Sequence, residues 1–471
     1  MFHKKSLVTL ALALPLALAL TSCGGDVTPT TVPAPTATTA AAAAPTDTTA
    51  PAADTPTTAM AADTATTAAS SGSTGGITGD SNLSGSVTFW TTYNTVSPEM
   101  DTFNNTIVPA FKKLYPNVTV NVQGFPDTDL RQKILTAIAG GQTPDLARAD
   151  IVQVPEFAEI GALAALDTEM SDFDTIKGTV FEGPLSSNFY KGHYYGLPLD
   201  TNTRVLIYNN EVFAKAGITT PPTTFEEMKA DCDKVKALGE ADTYCYAEGG
   251  TGAWSILPWI WSNGGDITDP TYSKATGYLN GAATVGAITM LKSMLDDKTL
   301  SPSILGNGIA TSDALGKAQS ATILDGPWMV GIFASQFPDL KIGFAPVPAG
   351  PGGSVSVVGG EDIVMFEQSQ NKPAAEAFMR YMLSNDPQLA LGKVGQMPVL
   401  KSLSNNPDLP AYYSTFQTQL ATAKARTPSP SWSKIDDAIN GAALQALKGE
   451  KTPQQAMDEA AATVDGLLAA K

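Results

Sequence analysis

The residues of this chain that could do chemistry are tryptophans beside turns and polar side chains at the ends of predicted strands. Trp328 follows Gly326-Pro327 directly after a predicted strand, and Trp432 follows Pro428-Ser429-Pro430 at the start of a predicted helix. Aromatic rings stack on the apolar C–H faces of a sugar, while carboxylate, amide and guanidinium groups hydrogen-bond to its hydroxyls. Residues of these types are suited to contact a saccharide, although an arbitrary tryptophan more often packs in the core.

Polar candidates stand where open α/β sheets present groups to a ligand, at the carboxyl ends of strands. The paired glycines before Glu361 and Asp362 let the backbone approach a bound molecule closely. Candidates from such positions and from the stretch before the proline loop are Tyr93, Gln123, Asp127, Asp150, Glu361, Asp362 and Arg426. The alternative is a helix cap or a solvated face for each carboxylate, and a surface cation for Arg426.

Residues suited to catalysis or metal binding are scarce. The chain has two histidines, His3 and His193, and no GxSxG, HExxH, P-loop or GxGxxG motif. Asp266 and Asp269 lack the spacing of a calcium-binding loop and are predicted to form a turn. We expect no cofactor and no metal. A glycoside hydrolase that uses two carboxylates about 5 to 10 Å apart remains an alternative.

Composition and charge narrow the class of protein. The chain has 471 residues, of which 43% are hydrophobic and 16% charged, and its formal net charge is -17. This length predicts two or three domains. The negative charge argues against nucleic acid and against electrostatic adhesion to anionic lipid, because both need basic surfaces. A neutral or weakly charged ligand is compatible with it.

The N-terminus has the pattern of an export signal. Lys4 and Lys5 precede an apolar run over about residues 7–20, which is too short for a membrane-spanning helix. A cysteine directly after Leu20-Thr21-Ser22 resembles the bacterial lipobox, so we expect residues 1–22 to be a signal peptide and Cys23 to be acylated. The alternative is an ordinary cleaved signal. The predicted location is extracytoplasmic, with a lipid anchor in the cell membrane.

Residues 23–83 are predicted to form a disordered tether. They are rich in Thr, Ala and Pro and show no apolar periodicity that could support a core. Fully extended, this segment would reach on the order of 150 to 200 Å.

Two cysteines remain, Cys232 and Cys245, and they are close in sequence. In an exported protein such a pair is expected to form a disulfide. A loop this short would stabilise the fold by about 3 kcal/mol.

Beyond residue 84 the hydrophobic pattern alternates between strands and helices. Strands are predicted at residues 87–90, 118–122, 144–147, 205–208, 321–324, 342–347 and 363–366, and helices at 98–114, 282–295, 373–383, 432–447 and 453–468. Two further helices are predicted, one capped by Asp127 or Thr128 and one with a capping box of Thr224 and Glu227. This succession predicts βαβ units, a parallel sheet and an α/β fold.

Short stretches across residues 84–471 match a known family in their order and spacing. They are residues 144–150, 155–158, 161–163, 196–203, 206–209, 262–266, 325–328 and 359–362. Together they resemble the extracellular solute-binding proteins of ABC importers, in the carbohydrate branch typified by maltose-binding protein. The lipobox agrees, since Gram-positive bacteria tether such receptors by a lipid.

The resemblance implies two α/β lobes, joined by hinge strands, that close on a ligand held in the cleft between them. It implies an N-lobe of residues 84–200 and 343–388, a C-lobe of residues 204–341 and 399–471, and crossings near 200–203, 343–347 and 387–398. Asp200 and Asn202 would lie on the first crossing, and Asp325 in the motif that ends at Trp328. The family's stacking positions match Trp254, Trp328 and Trp432, whereas Trp259 and Trp261 are expected in the core.

The implied function is that of a non-enzymatic receptor that delivers an oligosaccharide to the transmembrane subunits of an ABC permease. A malto-oligosaccharide is the first candidate, while arabino-, xylo- and gluco-oligosaccharides, a polyol or a non-sugar solute remain alternatives. We expect a monomer that contacts the membrane through its lipid anchor and does not bind nucleic acid.

Overall fold

The computed structural model describes residues 78–470, in which two β-sheets form the centres of two lobes. The predicted signal peptide, Cys23 and the tether up to residue 77 lie outside the described residues. The strands are β1 Ser84–Thr91, β2 Asn117–Gly124, β3 Leu146–Asp150, β4 Phe189–Tyr190, β5 His193–Tyr194, β6 Gly196–Pro198, β7 Asn202–Thr203, β8 Val205–Asn209, β9 Tyr244–Ala247, β10 Ser320–Asp325, β11 Ile342–Ala345, β12 Val358–Gly359 and β13 Glu361–Met365.

Helices surround both sheets. They are α1 Glu99–Thr102, α2 Val108–Leu114, α3 Asp127–Gly140, α4 Val154–Glu159, α5 Leu166–Glu169, α6 Phe173–Thr179, α7 Glu182–Ser186, α8 Asn210–Lys215, α9 Phe225–Lys236, α10 Ala253–Ser262, α11 Ala282–Asp296, α12 Thr311–Gly316, α13 Met329–Gln336, α14 Lys372–Met382, α15 Asn385–Gly392, α16 Tyr413–Leu420, α17 Trp432–Lys448 and α18 Pro453–Ala469. A π-helical turn, Phe103–Ile107, joins α1 to α2. Within residues 78–470 no helix has both the length and the apolar character needed to span a membrane.

The N-lobe sheet has five strands in the order β2-β1-β3-β13-β6. β1 runs parallel to β2 and β3, as the βαβ pattern predicts. β13 runs antiparallel to β3 and β6, so the prediction of a parallel sheet is wrong for this part. β13 is antiparallel because the chain returns to this sheet from the C-lobe and enters it from the opposite end.

The C-lobe sheet has four strands in the order β11-β8-β10-β9, of which only β9 and β10 are parallel neighbours. Successive residues of a strand point to opposite faces of its sheet. Accordingly, Leu206 and Ile207 of β8 pack in two different cores, as do Ile363 and Val364 of β13 in the N-lobe. Both sheets are therefore buried on both faces, which is typical of α/β layers.

The hinge differs in two places from the predicted boundaries. β7 and β12 are the segments in which the chain passes between the lobes. They pair with each other, so the two crossings lie side by side. The crossing expected at residues 343–347 is wrong, because β11 pairs with β8 and completes the C-lobe sheet. The C-lobe start at residue 399 is also wrong, since Val399 and Leu403 pack in the N-lobe core. Met397 already contacts the C-lobe core, and the chain passes into that lobe at Leu409 and α16.

The predicted disulfide between Cys232 and Cys245 is confirmed, and it ties α9 to β9. The capping box predicted for α9 is half formed. The Thr224 hydroxyl accepts from the Glu227 N–H at 3.1 Å, but the Glu227 carboxylate accepts from the N–H of Thr223.

Candidate ligand-binding cleft

A cavity of about 480 Å³ opens between the lobes and is lined by residues from both. N-lobe strands and helices contribute Asp127 and Asp150, and C-lobe helices contribute Trp254 and Trp432. Of the candidate binding residues, the ones that line this cavity are Asp127, Asp150, Asn202, Trp254, Trp328, Glu361, Arg426 and Trp432.

Three tryptophans face the cavity from the C-lobe. Trp328 precedes α13, and its ring centroid lies 6.2 Å from that of Trp254. Trp432 begins α17, as the sequence predicted, and Trp254 lies in the first turn of α10. Trp432 is only 4% exposed and belongs to the C-lobe core, so its ring offers little free area. Trp328 and Trp254 are half-buried, which leaves part of each ring accessible.

The accessible area of Trp254 is shared with two cations. The guanidinium carbon of Arg204 lies 5.7 Å from the centroid of the Trp254 ring, and that of Arg426 lies 5.6 Å from it. Such cation–π contacts fix the ring's orientation. Arg426 is itself 9% exposed, which contradicts the alternative of a surface cation.

A buried ionic network lies beneath the cavity, centred on Arg148 of β3. Its guanidinium contacts the carboxylates of Asp200 at 3.0 Å and Glu361 at 2.7 Å, and it donates to the Gln396 side-chain oxygen at 2.9 Å. Burial works against the cation, yet Glu361 and Asp200 hold the pKa of Arg148 above its ordinary value. Burial raises the pKa of Glu361 well above its usual range, and Arg148 opposes that shift.

Tyr93 and Asp200 support this network and do not line the cavity. The Tyr93 ring lies 4.7 Å from the guanidinium carbon of Arg148, and burial raises the pKa of its hydroxyl. Asp200 is 3% exposed and is held by Arg148. These two residues therefore position Arg148, in contrast to the direct contact with ligand that was expected.

Three further candidates face elsewhere. Gln123 is exposed near the end of β2, outside the cavity lining. Asp325 accepts a hydrogen bond from the N–H of Gly326 at 2.8 Å and so fixes its own turn, and burial raises its pKa to about 6. Asp362 is buried and accepts from Asn188 at 2.8 Å and from Ser187 at 3.0 Å. Because Glu361 faces the cavity, its neighbour in β13 must face the other side of the sheet.

Sequence reasoning missed several polar residues of the cavity. The charged and amide side chains among them include Glu99, Arg131, Arg148, Glu156, Gln396 and Asp436. Asp436 follows Trp432 by four positions, so helical periodicity could have placed both on one face of α17. Arg148 carried a signal too, as a charged residue between two buried alanines of β3.

Of the buried oxygens at the cavity that have no hydrogen-bond partner in the described part of the chain, two belong to residues that are 5% exposed or less. They are Oδ1 of Asn202, a residue 5% exposed, and Oε1 of Glu99, a residue 2% exposed. A buried acceptor without a donor is unfavourable, so both oxygens are poised to accept from a ligand. Among residues 78–470 no three His, Cys, Asp or Glu side chains converge as a metal site would need.

Comparisons with known proteins agree with this architecture. A family model described as bacterial extracellular solute-binding protein matches residues 94–389. A putative binding protein of Brucella abortus is 30% identical over 381 residues, which cover 76% of this chain and 88% of that protein. The maltotriose-binding protein of Pyrococcus abyssi is 26% identical over 78% of this chain and 79% of its own length.

A solved structure shows the same fold. The GacH receptor of Streptomyces glaucescens, solved unliganded and in complex with acarbose, has a TM-score of 0.73 to this chain and 25% identity. The match covers 82% of this chain and 99% of that chain. The segment matched by the family model contains both β7 and β12 of the hinge but ends before Arg426 and Trp432.

Proposed function

This chain belongs to the family of bacterial extracellular solute-binding proteins, the solute receptors of ABC importers, and we propose that the solute it captures is an oligosaccharide. One observation carries the proposal: Trp328 and Trp254 share a cavity with the buried, unpartnered Oδ1 of Asn202. The rings suit the C–H faces of sugar rings, and the oxygen lacks the hydrogen bond that a hydroxyl would donate. A malto-oligosaccharide is the first candidate, supported by the relative named for maltotriose.

The protein acts as a receptor and catalyses no reaction. Ligand enters the open cleft, the lobes close about the paired strands β7 and β12, and the closed form delivers the sugar to the permease. The cavity volume lies within the range of small-ligand sites. A lipid on Cys23 and the tether that follows keep the receptor near the permease.

A thermal-shift screen tests the sugar assignment. We expect maltotriose, or another neutral oligosaccharide in a panel of arabino-, xylo- and gluco-oligosaccharides, to bind with a micromolar Kd or tighter. At 1 mM such a ligand stabilises the folded state by about 4 kcal/mol, which raises Tm by several degrees. If no carbohydrate shifts the melting curve at millimolar concentration, the assignment fails and a non-sugar solute becomes the better candidate.

Product analysis separates a receptor from a hydrolase. Maltotriose incubated with the protein should be recovered unchanged by chromatography. Shortened products would instead identify the carboxylates of the cleft as a catalytic pair.

A further inference from the structure

The charges that line the cleft do not balance. Within residues 78–470, six carboxylates and three guanidinium groups face the cavity. Each guanidinium is paired with a carboxylate that also faces the cavity: Arg131 with Glu156, Arg148 with Glu361 and Arg426 with Asp150, at 2.5, 2.7 and 2.9 Å. The other three carboxylates, Glu99, Asp127 and Asp436, form no ion pair within residues 78–470.

The three unpaired carboxylates come from both walls of the cleft. Asp127 begins α3 in the N-lobe, and its side chain does not cap that helix. Asp436 lies in α17 of the C-lobe, where its Oδ1 accepts from the N–H of Ala253 at 2.6 Å. Glu99 is 2% exposed, and its Oε1 is without a partner. A ligand between the lobes is therefore close to negative charge on both sides.

From this imbalance we propose that the cleft selects its ligand by charge. It rejects saccharides that carry a carboxylate, phosphate or sulfate, and among otherwise equal saccharides it prefers one that carries a protonated amine. The inference rests on the proposed function, because it specifies which oligosaccharides that receptor admits.

Two physical arguments support it. Closing the lobes removes water from the cavity, and charges in a partly dry site interact more strongly than in bulk solvent. In addition, burial raises the pKa of Glu99, Asp127 and Asp436, and nearby Asp150 raises that of Asp127 further. Negative charge is thus already unfavourable in the cleft. An anionic ligand would add to this unfavourable energy, whereas a cationic ligand would reduce it.

Three derivatives of one sugar form a matched set of probes. Maltotriitol, its aldonate counterpart maltotrionate and 1-amino-1-deoxymaltotriitol differ only in the group at C1 of the opened residue, which is neutral, anionic and cationic in turn. If another panel sugar raises Tm most, the same derivatives of that sugar replace them. We expect the aldonate to bind roughly tenfold more weakly than the alditol at 20 mM salt, with the difference shrinking at 500 mM, and the amine to bind more tightly than the alditol.

Variants test whether Asp127 and Asp436 cause the difference in Kd between the aldonate and the alditol. Asp127→Asn and Asp436→Asn should each reduce the Kd ratio of aldonate to alditol by roughly threefold. Asp129→Asn is the matched control, because Asp129 also lies in the first turn of α3 but outside the cavity lining, and it should leave the ratio unchanged. A merely structural effect would weaken all three probes alike.

The outcomes are distinct from those of the sugar screen. Equal Kd values for aldonate and alditol in the parent protein would overturn charge selection while leaving oligosaccharide binding intact. A ratio that survives in both Asn variants would also overturn the assignment to Asp127 and Asp436. If no neutral sugar of the panel binds, the proposed function fails and this inference fails with it.

Discussion

Arg426 of the C-lobe donates to Asp150 of the N-lobe across the cleft, with 2.9 Å between Nη2 and Oδ1. The Arg426 side chain is 7% exposed and that of Asp150 29%, so the pair is only partly screened by solvent. The two lobes are thus linked by a direct ionic contact beside the ligand cavity, in addition to the hinge strands.

Asp150→Asn should weaken sugar binding, because the closed form loses a charge-assisted hydrogen bond between the lobes. We expect a cost of about 1 to 2 kcal/mol, or roughly a tenfold rise in Kd. Titration measures Kd, and scattering should show a larger radius of gyration for the variant at equal ligand concentration. Arg426→Gln should cost at least as much, and the double variant should cost less than the sum.

Lys424→Gln serves as the control for that experiment. Lys424 lies on the same segment but pairs with Asp266 at 3.0 Å, and both side chains are well exposed. An exposed pair contributes little, so Kd should not change. If Lys424→Gln weakens binding as much as Asp150→Asn does, the contact between the lobes is not the cause.

Trp328→Ala should lower affinity more than stability. Its half-buried ring lies at the cavity, and removing a stacking anchor costs about 2 kcal/mol of binding. Trp259→Ala should do the reverse, because Trp259 is 1% exposed in the C-lobe core and its removal costs about 3 to 5 kcal/mol of folding free energy. Fluorescence titration and melting curves measure the two effects. A Trp328→Ala protein that binds every sugar normally but melts much lower would place Trp328 in the core.

The protein should lose stability as pH rises through neutrality, in part because of Asp362. Burial raises the pKa of Asp362 from 3.8 to about 8. An acid with a higher pKa in the folded state binds its proton more tightly there, so the free energy of unfolding falls between these two pH values. Asp362→Asn removes this dependence while keeping an acceptor for Asn188, and the loss between pH 5 and 9 should shrink by up to about 4 kcal/mol.

Urea unfolding at several pH values gives the slope of the free energy of unfolding against pH for the parent and for Asp362→Asn. Asp174→Asn is the control, since its side chain is 93% exposed and should leave the slope as it is in the parent. Parallel slopes for the parent and Asp362→Asn would show that Asp362 is ionised in the folded protein.

The lipid anchor is tested in a bacterial host. Cys23→Ser should release the protein from the membrane fraction without changing its melting temperature, because the change removes the acylated thiol and leaves residues 78–470 intact. Radiolabelled palmitate should enter the parent and not the variant. Absence of label in the parent would mean that an ordinary signal peptidase cleaves the chain.

Secondary structure followed from the sequence better than the assignment of residues to faces and lobes. The continuous apolar run of β8 and the heptad-like spacing of α17 are local, so their predicted bounds are nearly right. Glu361 and Asp362 were treated alike, because which of two neighbours faces the cavity depends on the pairing of β13 with β3. That pairing joins residues more than 200 positions apart, and no local pattern encodes it.

The role of Arg148 at the centre of the site could not be predicted from the sequence for the same reason. Arg148 lies in the stretch 144–150 that resembles the family, but its role depends on Asp200, Glu361 and Gln396, which come from separate segments. Gln396 is 248 positions away from Arg148 in the chain. The predicted crossing at residues 343–347 was misplaced for the same reason, because β11 could be assigned to the C-lobe only through its hydrogen bonds to β8.

The 6.2 Å between the indole centroids of Trp254 and Trp328 gives the cleft an optical signature of its own. We expect two indoles this close to couple through their strongest transition dipoles and to add a paired band to the far-ultraviolet circular dichroism spectrum. Both residues belong to the C-lobe, so their mutual geometry does not change when one lobe rotates against the other. The band therefore senses the arrival of a ligand at the rings, whereas scattering senses the rotation, and the two steps of capture can be timed separately.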